Sequence, residues 1–212
     1  MKLLYTPIHG YVHTVEAVIN YADLRDRIEP VAIKPFGDSA TQLTDVNPLG
    51  KVPTLQLDSG EYLAGGPVIY EYLDSLHKRR RLYPTRAPRR WRTLRQCWMA
   101  DGLFDTFVLI IIESWEPAAQ QRQAYVARCW GKVESILNQL ERDAATFERT
   151  DIAQLRAVGA LQFLELKLAQ IRESVPSLAT VEGPTIGRPA LAGWFARAAR
   201  DPIFHRPLVS LE

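Results

Sequence analysis

Apolar and polar positions alternate in two distinct rhythms along this chain, and the change of rhythm falls near residue 80. Lys2 to Tyr5 is a short apolar run closed by Thr6-Pro7, the signature of a strand. Val12, Val15 and Ile19 then recur at helical spacing with polar residues between them. Ile28 to Ile33 reads as a second strand, with Val31 and Ile33 on one face, stopped by Pro35 and Gly37. Ser39 is placed to cap a short helix through Val46. Pro53 to Leu57, Asp58-Ser59-Gly60 and Glu61 to Leu63 make a hairpin pattern. Val68, Ile69, Tyr72, Leu73 and Leu76 lay an apolar stripe on a helix. The predicted order is βαβαββα.

Beyond residue 80 the strand signals vanish. Trp91 to Trp115 and Ala118 to Ala145 are long helical patterns, separated by Trp115-Glu116-Pro117. Asp151 to Ile171 is a third, and Pro189 to Arg200 a fourth that opens on its proline. Pro176, Gly183-Pro184 and Gly187 mark the connection between these two. The expected organisation is an α/β domain over 1–78, a linker over 79–88 and an all-helical domain over 89–212.

Composition narrows the function classes. With 212 residues, 47% hydrophobic and 24% charged, the chain has enough apolar mass for a core and the balance of an ordinary soluble globular protein. A net charge of +2 gives no general pull toward nucleic acid or acidic membranes. The longest apolar run, Phe107 to Ile112, is too short to span a bilayer, and no leading hydrophobic region is present. Cys97 and Cys129 are the only cysteines and lack metal-ligand spacing, so no metal is expected and reduced thiols point to the cytoplasm.

The most specific motif is Asn47-Pro48-Leu49-Gly50-Lys51-Val52-Pro53-Thr54-Leu55. Asn-Pro and Gly make it a loop, and Pro53 opens a strand while removing a backbone donor and permitting a cis bond. The Val52 amide and carbonyl are thereby available to an extended peptide added as a strand. This segment resembles the NPxGKVP loop of the glutathione S-transferases. The resemblance extends over nearly the whole chain, since that family joins a thioredoxin-like βαβαββα domain to a helical-bundle domain. Ala100-Asp101-Gly102 and the ungapped N-terminus look most like small bacterial serine-type members. It implies that Val52 and Pro53 hold the cysteinyl part of glutathione, and that the chain is a homodimer acting on a small-molecule ligand.

The chemistry departs from the family pattern at two places. Members carry L-x-E/Q-S-x-x-I-x-x-Y-L to hold the γ-glutamyl end, whereas this chain has Gly65-Gly66 where the polar pair belongs. Leu63, Ile69, Tyr72 and Leu73 fix the frame. Two charge-assisted hydrogen bonds are missing, each of roughly 1.5–3 kcal/mol, a loss on the order of a hundredfold or more in affinity. Gly66 and Pro67 still open a helix, whose free amides favour an anion, and Gly-Gly lets a ligand approach the backbone. The alternative is a relic site in which the glycines only make the turn.

In the first loop the resemblance puts His9 at the position of the thiol-activating hydroxyl of serine-type members. A hydrogen-bond donor there lowers the thiol pKa, and a histidine also serves as a base near neutral pH. Thr6 supplies another hydroxyl in the same loop. The run Tyr5-Thr6-Pro7-Ile8-His9-Gly10 also resembles the Tyr-x-Pro-x-Arg-Gly loop of tyrosine-type members, which would make Tyr5 the activator.

The resemblance further implies a hydrophobic substrate pocket along the long helix at Trp98, Asp101, Phe104 and Asp105, with Trp98, Asp101 and Asp105 expected on one face. Lys78 to Arg95 holds nine basic residues and no acidic one, read as a solvated face or a dimer contact, with nucleic acid a weak alternative for want of interleaved aromatics. Asp151 resembles the family's capping aspartate, with Glu148 in place of the usual Thr. Two function classes follow: thiol-dependent transferase chemistry on a small hydrophobic electrophile, or a non-catalytic binding or regulatory protein on the same fold.

Overall fold

The computed structural model describes residues 1–7, 10–34, 37, 40–147, 149–205 and 208, and divides the chain into two units. His9, Ser39 and Glu148, each given a role above, lie outside the described residues.

The first unit comprises 1–84 and 200–212. Its strands are β1 (Lys2–Tyr5), β2 (Glu29–Ala32), β3 (Thr54–Gln56) and β4 (Tyr62–Ala64). They form one sheet in the order β2-β1-β3-β4, parallel between β1 and β2 and antiparallel elsewhere. The helices are α1 (Gly10–Ala22), α2 (Ala40–Thr44) and α3 (Gly66–Ser75), which completes the βαβαββα order of a thioredoxin-like domain.

β1 is central, and Leu3, Leu4 and Tyr5 are all buried, as expected of a strand covered on both faces. Leu4 joins Ile33 and Leu43 of α2, with Val31 and Val52 packed against that cluster. The stripe Val12, Val15 and Ile19 buries α1, and α1 packs on α3. In α3 the expected stripe shifts: Val68 is 52% exposed, and Tyr70 is buried with Ile69 and Leu73. With about 3.6 residues per turn, Ile69, Tyr70 and Leu73 lie on one side and Val68 turns away.

After α3 the chain is tied back by Asp74, which accepts from the amides of Leu82 (2.8 Å) and Tyr83 (3.2 Å) and pairs with His77 Nε2 at 3.0 Å. The segment after residue 200 belongs to this unit too. Asn20 Nδ2 donates to the Ile203 carbonyl at 2.8 Å, and Glu16 accepts from the Leu208 amide at 3.0 Å.

The second unit, 85–199, holds helices and no strand among the described residues: α4 (Arg89–Glu113), α5 (Gln123–Ala144), α6 (Ile152–Ile171) and α7 (Pro189–Ala198). α4 packs against both α5 and α6. α6 is buried nearly all round, so its one buried arginine, Arg156, requires an anion and takes Asp101 of α4. α5 begins at Gln123, later than the hydrophobic pattern suggests. Glu113 accounts for the delay, because it accepts from the Arg122 backbone amide at 2.6 Å and grips its guanidinium, holding 117–122 in turns. Asp151 caps α6 by accepting from the Ala153 amide at 3.1 Å. No helix among the described residues is long and apolar enough to cross a membrane.

Candidate functional site

The loop before β3 is shaped by one buried side chain. Asn47 Nδ2 donates to the Lys51 carbonyl at 3.1 Å and to Thr54 Oγ1 at 2.9 Å, while Asn47 Oδ1 accepts from the Leu49 amide at 3.0 Å. Thr54 in turn donates to the Lys51 carbonyl at 2.8 Å. These bonds close the turn and present Val52, whose peptide bond to Pro53 is cis. The Val52 side chain rests on the Leu4, Ile33 and Leu43 cluster. Among the described residues, no group of the chain pairs with the Val52 amide or carbonyl.

The Pro53 carbonyl accepts from the Gly65 amide at 3.4 Å, which brings the Gly-Gly turn beside this loop. Gly65 precedes α3 with φ +89°, a backbone conformation that disfavours any side chain. Gly66 is constrained differently. A Cβ there would lie 2.7 Å from Tyr70 Cζ, closer still to the Tyr70 hydroxyl, and 2.8 Å from Tyr11 Cδ1. The Tyr70 hydroxyl is held in place by donating to the Tyr11 carbonyl at 2.9 Å. Two aromatic rings therefore fill the space that a residue-66 side chain needs. Tyr70 is the residue that motif reading passed over, although its signal was present: a bulky side chain four positions after Gly66 shares its helix face.

The sequence profile described as Glutathione S-transferase, N-terminal domain, matches residues 10–76. A glutathione transferase family member from Pseudomonas fluorescens Pf-5, solved with bound S-(propanoic acid)-glutathione, superposes with a TM-score of 0.82 over 100% of both chains at 27% identity. A glutathione S-transferase from Methylobacillus flagellatus KT, solved with glutathione, gives 0.81 over 96% of both chains at 26% identity. The chain has the glutathione S-transferase fold, and its first unit is similar to the N-terminal domain of that family. A curated relative, the uncharacterized GST-like protein YibF of Escherichia coli K12, is 32% identical over 124 residues. That match spans 55% of this chain and 61% of the relative.

Within this fold the first-loop candidates take separate places. Thr6 Oγ1 donates its proton to the Ile33 carbonyl at 2.7 Å. Tyr5 is 2% exposed within β1, where burial and, secondarily, the Glu16 carboxylate push its phenol up from the usual value. Half-buried His13, on α1, is pushed down by burial.

The four residues read as the superfamily's substrate pocket divide between two surroundings. Trp98 is 71% exposed and Asp105 is also exposed. Asp101 is buried and accepts from Arg156 Nε at 2.8 Å, with a second, shorter contact to the same guanidinium. Phe104 is buried, with its ring centroid 4.8 Å from that of Phe163. Seven residues return a helix to within roughly 20° of its starting direction, but three leave it about 60° away, enough here to turn Asp101 into the bundle. Beside this pair, burial lifts the Cys97 thiol to about 11 against the opposing pull of Arg156. Cys97 is accordingly a neutral, packed side chain at physiological pH.

Proposed function

We propose that this chain binds a thiol peptide of the glutathione type along Val52 and uses it in thiol-dependent chemistry on a small hydrophobic electrophile. The observation that carries this reading is the Val52 backbone, which is held by the Asn47 network and has no partner among the described residues. An extended peptide adds to such a segment as a short strand, main chain to main chain. The glutathione-containing crystal structures of superfamily members at 26–27% identity support the choice of ligand.

At the acid-binding end, Gly65 and Gly66 offer backbone only, and Pro67 has no amide proton to add. The free amides of the first turn of α3 and its dipole are then what draw the ligand carboxylate. Glutathione is expected to bind weakly as a result. Of the three thiol-activating candidates, Thr6 has spent its proton on Ile33 and Tyr5 sits in the core with a raised pKa. We therefore assign thiolate stabilisation to His9, and the electrophile-facing role to Trp98 and Asp105, the exposed members of their set. Glutathione is treated as a cosubstrate of this reaction, and a homodimer belongs to the same reading.

Calorimetric titration with glutathione, paired with a conjugation assay on a chlorodinitrobenzene substrate, tests it. A dissociation constant on the order of 1 mM is expected, reflecting the missing polar pair. His9→Ala is expected to lower kcat by at least about tenfold with binding little changed, the pattern of a group acting on the thiolate. Absence of heat at about 20 mM glutathione would overturn the assignment.

A further inference from the structure

We propose that the helical unit carries a separate binding site for a small phosphate-bearing molecule, in a cavity rimmed by Arg89, Arg92 and Arg149. The cavity measures about 180 Å³. One water needs roughly 10–15 Å³ of such space, so the cavity admits a phosphate group with a short organic tail.

Its floor is polar and built. Thr93, Gln96, Asp151 and Gln154 all line the cavity, yet each is between 2% and 8% exposed. Buried polar groups are costly unless bonded, and these are bonded in ways that fix their positions. Thr93 donates to Asp151 at 3.2 Å, Gln96 donates to Thr146 at 3.5 Å, and Gln154 donates to the Arg149 carbonyl while accepting from Trp194 Nε1 at 3.3 Å. A rigid polar floor of this kind holds a rim in register.

The rim has charge to spare. Asp151 is satisfied by the Ala153 amide, by Thr93 and by Arg89, whose guanidinium lies 3.5 Å away. Among the described residues, no carboxylate lies within 4.0 Å of the guanidinium of Arg92 or Arg149. Among the described residues that line the cavity, three guanidinium groups stand against one carboxylate, an excess of positive charge. A phosphate monoester carries about −1.5 to −2 at pH 7 and three acceptor oxygens, a closer match than a single carboxylate. Arginine forks bind such oxygens in pairs, which favours phosphate over a diffuse counterion. The site also gives a use to the carboxylate-free basic run, of which Arg89 and Arg92 are members.

Titration of the full chain with glycerol 3-phosphate, inorganic phosphate and acetate in about 150 mM NaCl tests the site, since diffuse surface attraction is largely screened there. Glycerol 3-phosphate is expected to bind, with acetate weaker by at least about fivefold. Arg92→Ala/Arg149→Ala is expected to weaken the ester by at least about tenfold at unchanged melting temperature, both residues being exposed. Arg79→Ala/Arg81→Ala, in the same basic run but in the first unit, is expected to change it less than about twofold. Equal affinity for inorganic phosphate and the ester assigns the cavity to the free anion, and tighter binding of the ester assigns it to a carried phosphate group. Acetate binding as tightly as phosphate, equal weakening by the control pair, or no heat with either phosphate at about 10 mM would each overturn the proposal.

Discussion

Tyr70 stands where a side chain on Gly66 would have to go. Its Cζ is 2.7 Å from the Cβ position of residue 66, and its hydroxyl, closer still, is pinned to the Tyr11 carbonyl. The two residues are four apart on α3, so the small residue and the large one are a single packing solution. Gly66→Ser is expected to cost about 1–3 kcal/mol as overpacking, and Tyr70→Ala about 3–5 kcal/mol as a cavity. The double variant is expected to cost less than the sum by roughly 1 kcal/mol or more, because the serine fills space the tyrosine vacates. Urea unfolding of the four proteins measures the coupling. Strict additivity would mean that Tyr70 and Tyr11 swing aside freely.

Asp101 and Asp105 are one helical turn apart and have opposite surroundings, so they make a matched pair of variants. Asp101→Ala strands the buried Arg156 guanidinium and is expected to cost about 3–5 kcal/mol. Asp105→Ala, at an exposed position, is expected to stay within about 1 kcal/mol. Chemical denaturation separates the two, and a mild Asp101 variant would show that water reaches Arg156.

Cys97 is the thiol whose surroundings speak against reactivity. Burial lifts it to about 11, and both cysteines of the chain are buried. Ellman's reagent at pH 8 is expected to leave Cys97 unmodified in the folded protein and to modify it after denaturation. Fast labelling of native Cys97, located by peptide mass, would refute its packing.

His13 and Glu16 lie one turn apart on α1 and pull stability in opposite directions with pH. Burial holds His13 below its ordinary value, so its contribution is full above about pH 6.5 and is lost as pH falls through the folded-state pKa. Burial raises Glu16 despite the Leu208 amide and Arg25, so its contribution is present below about pH 4.5 and lost as pH rises through the raised value. Melting temperatures recorded from about pH 4 to 8 check both signs. His13→Gln is expected to shrink the loss on acidification below about pH 6.5, and Glu16→Gln to raise the melting temperature at neutral pH but not near pH 4. Parallel curves for variant and parent would remove both residues from the pH response.

What the sequence by itself determined is local. The period-two and period-3.6 runs set the order of strands and helices, the Asn47–Thr54 chemistry set a loop, and the frame around Gly65-Gly66 located an altered turn. Each of these depends on residues within a few positions of one another, where spacing and backbone preference suffice. Tertiary structure decided the rest. It turned Tyr70 inward and Val68 outward, spent the Thr6 proton on Ile33, and sent Asp101 to Arg156 while leaving Asp105 exposed. It also brought Arg89 and Arg92 of α4 to the same cavity as Arg149, some sixty positions further along the chain. The reason is physical: a helical period specifies directions around one axis. Which direction is dry, and which charge waits there, depends on elements distant in sequence and adjacent only in the folded chain.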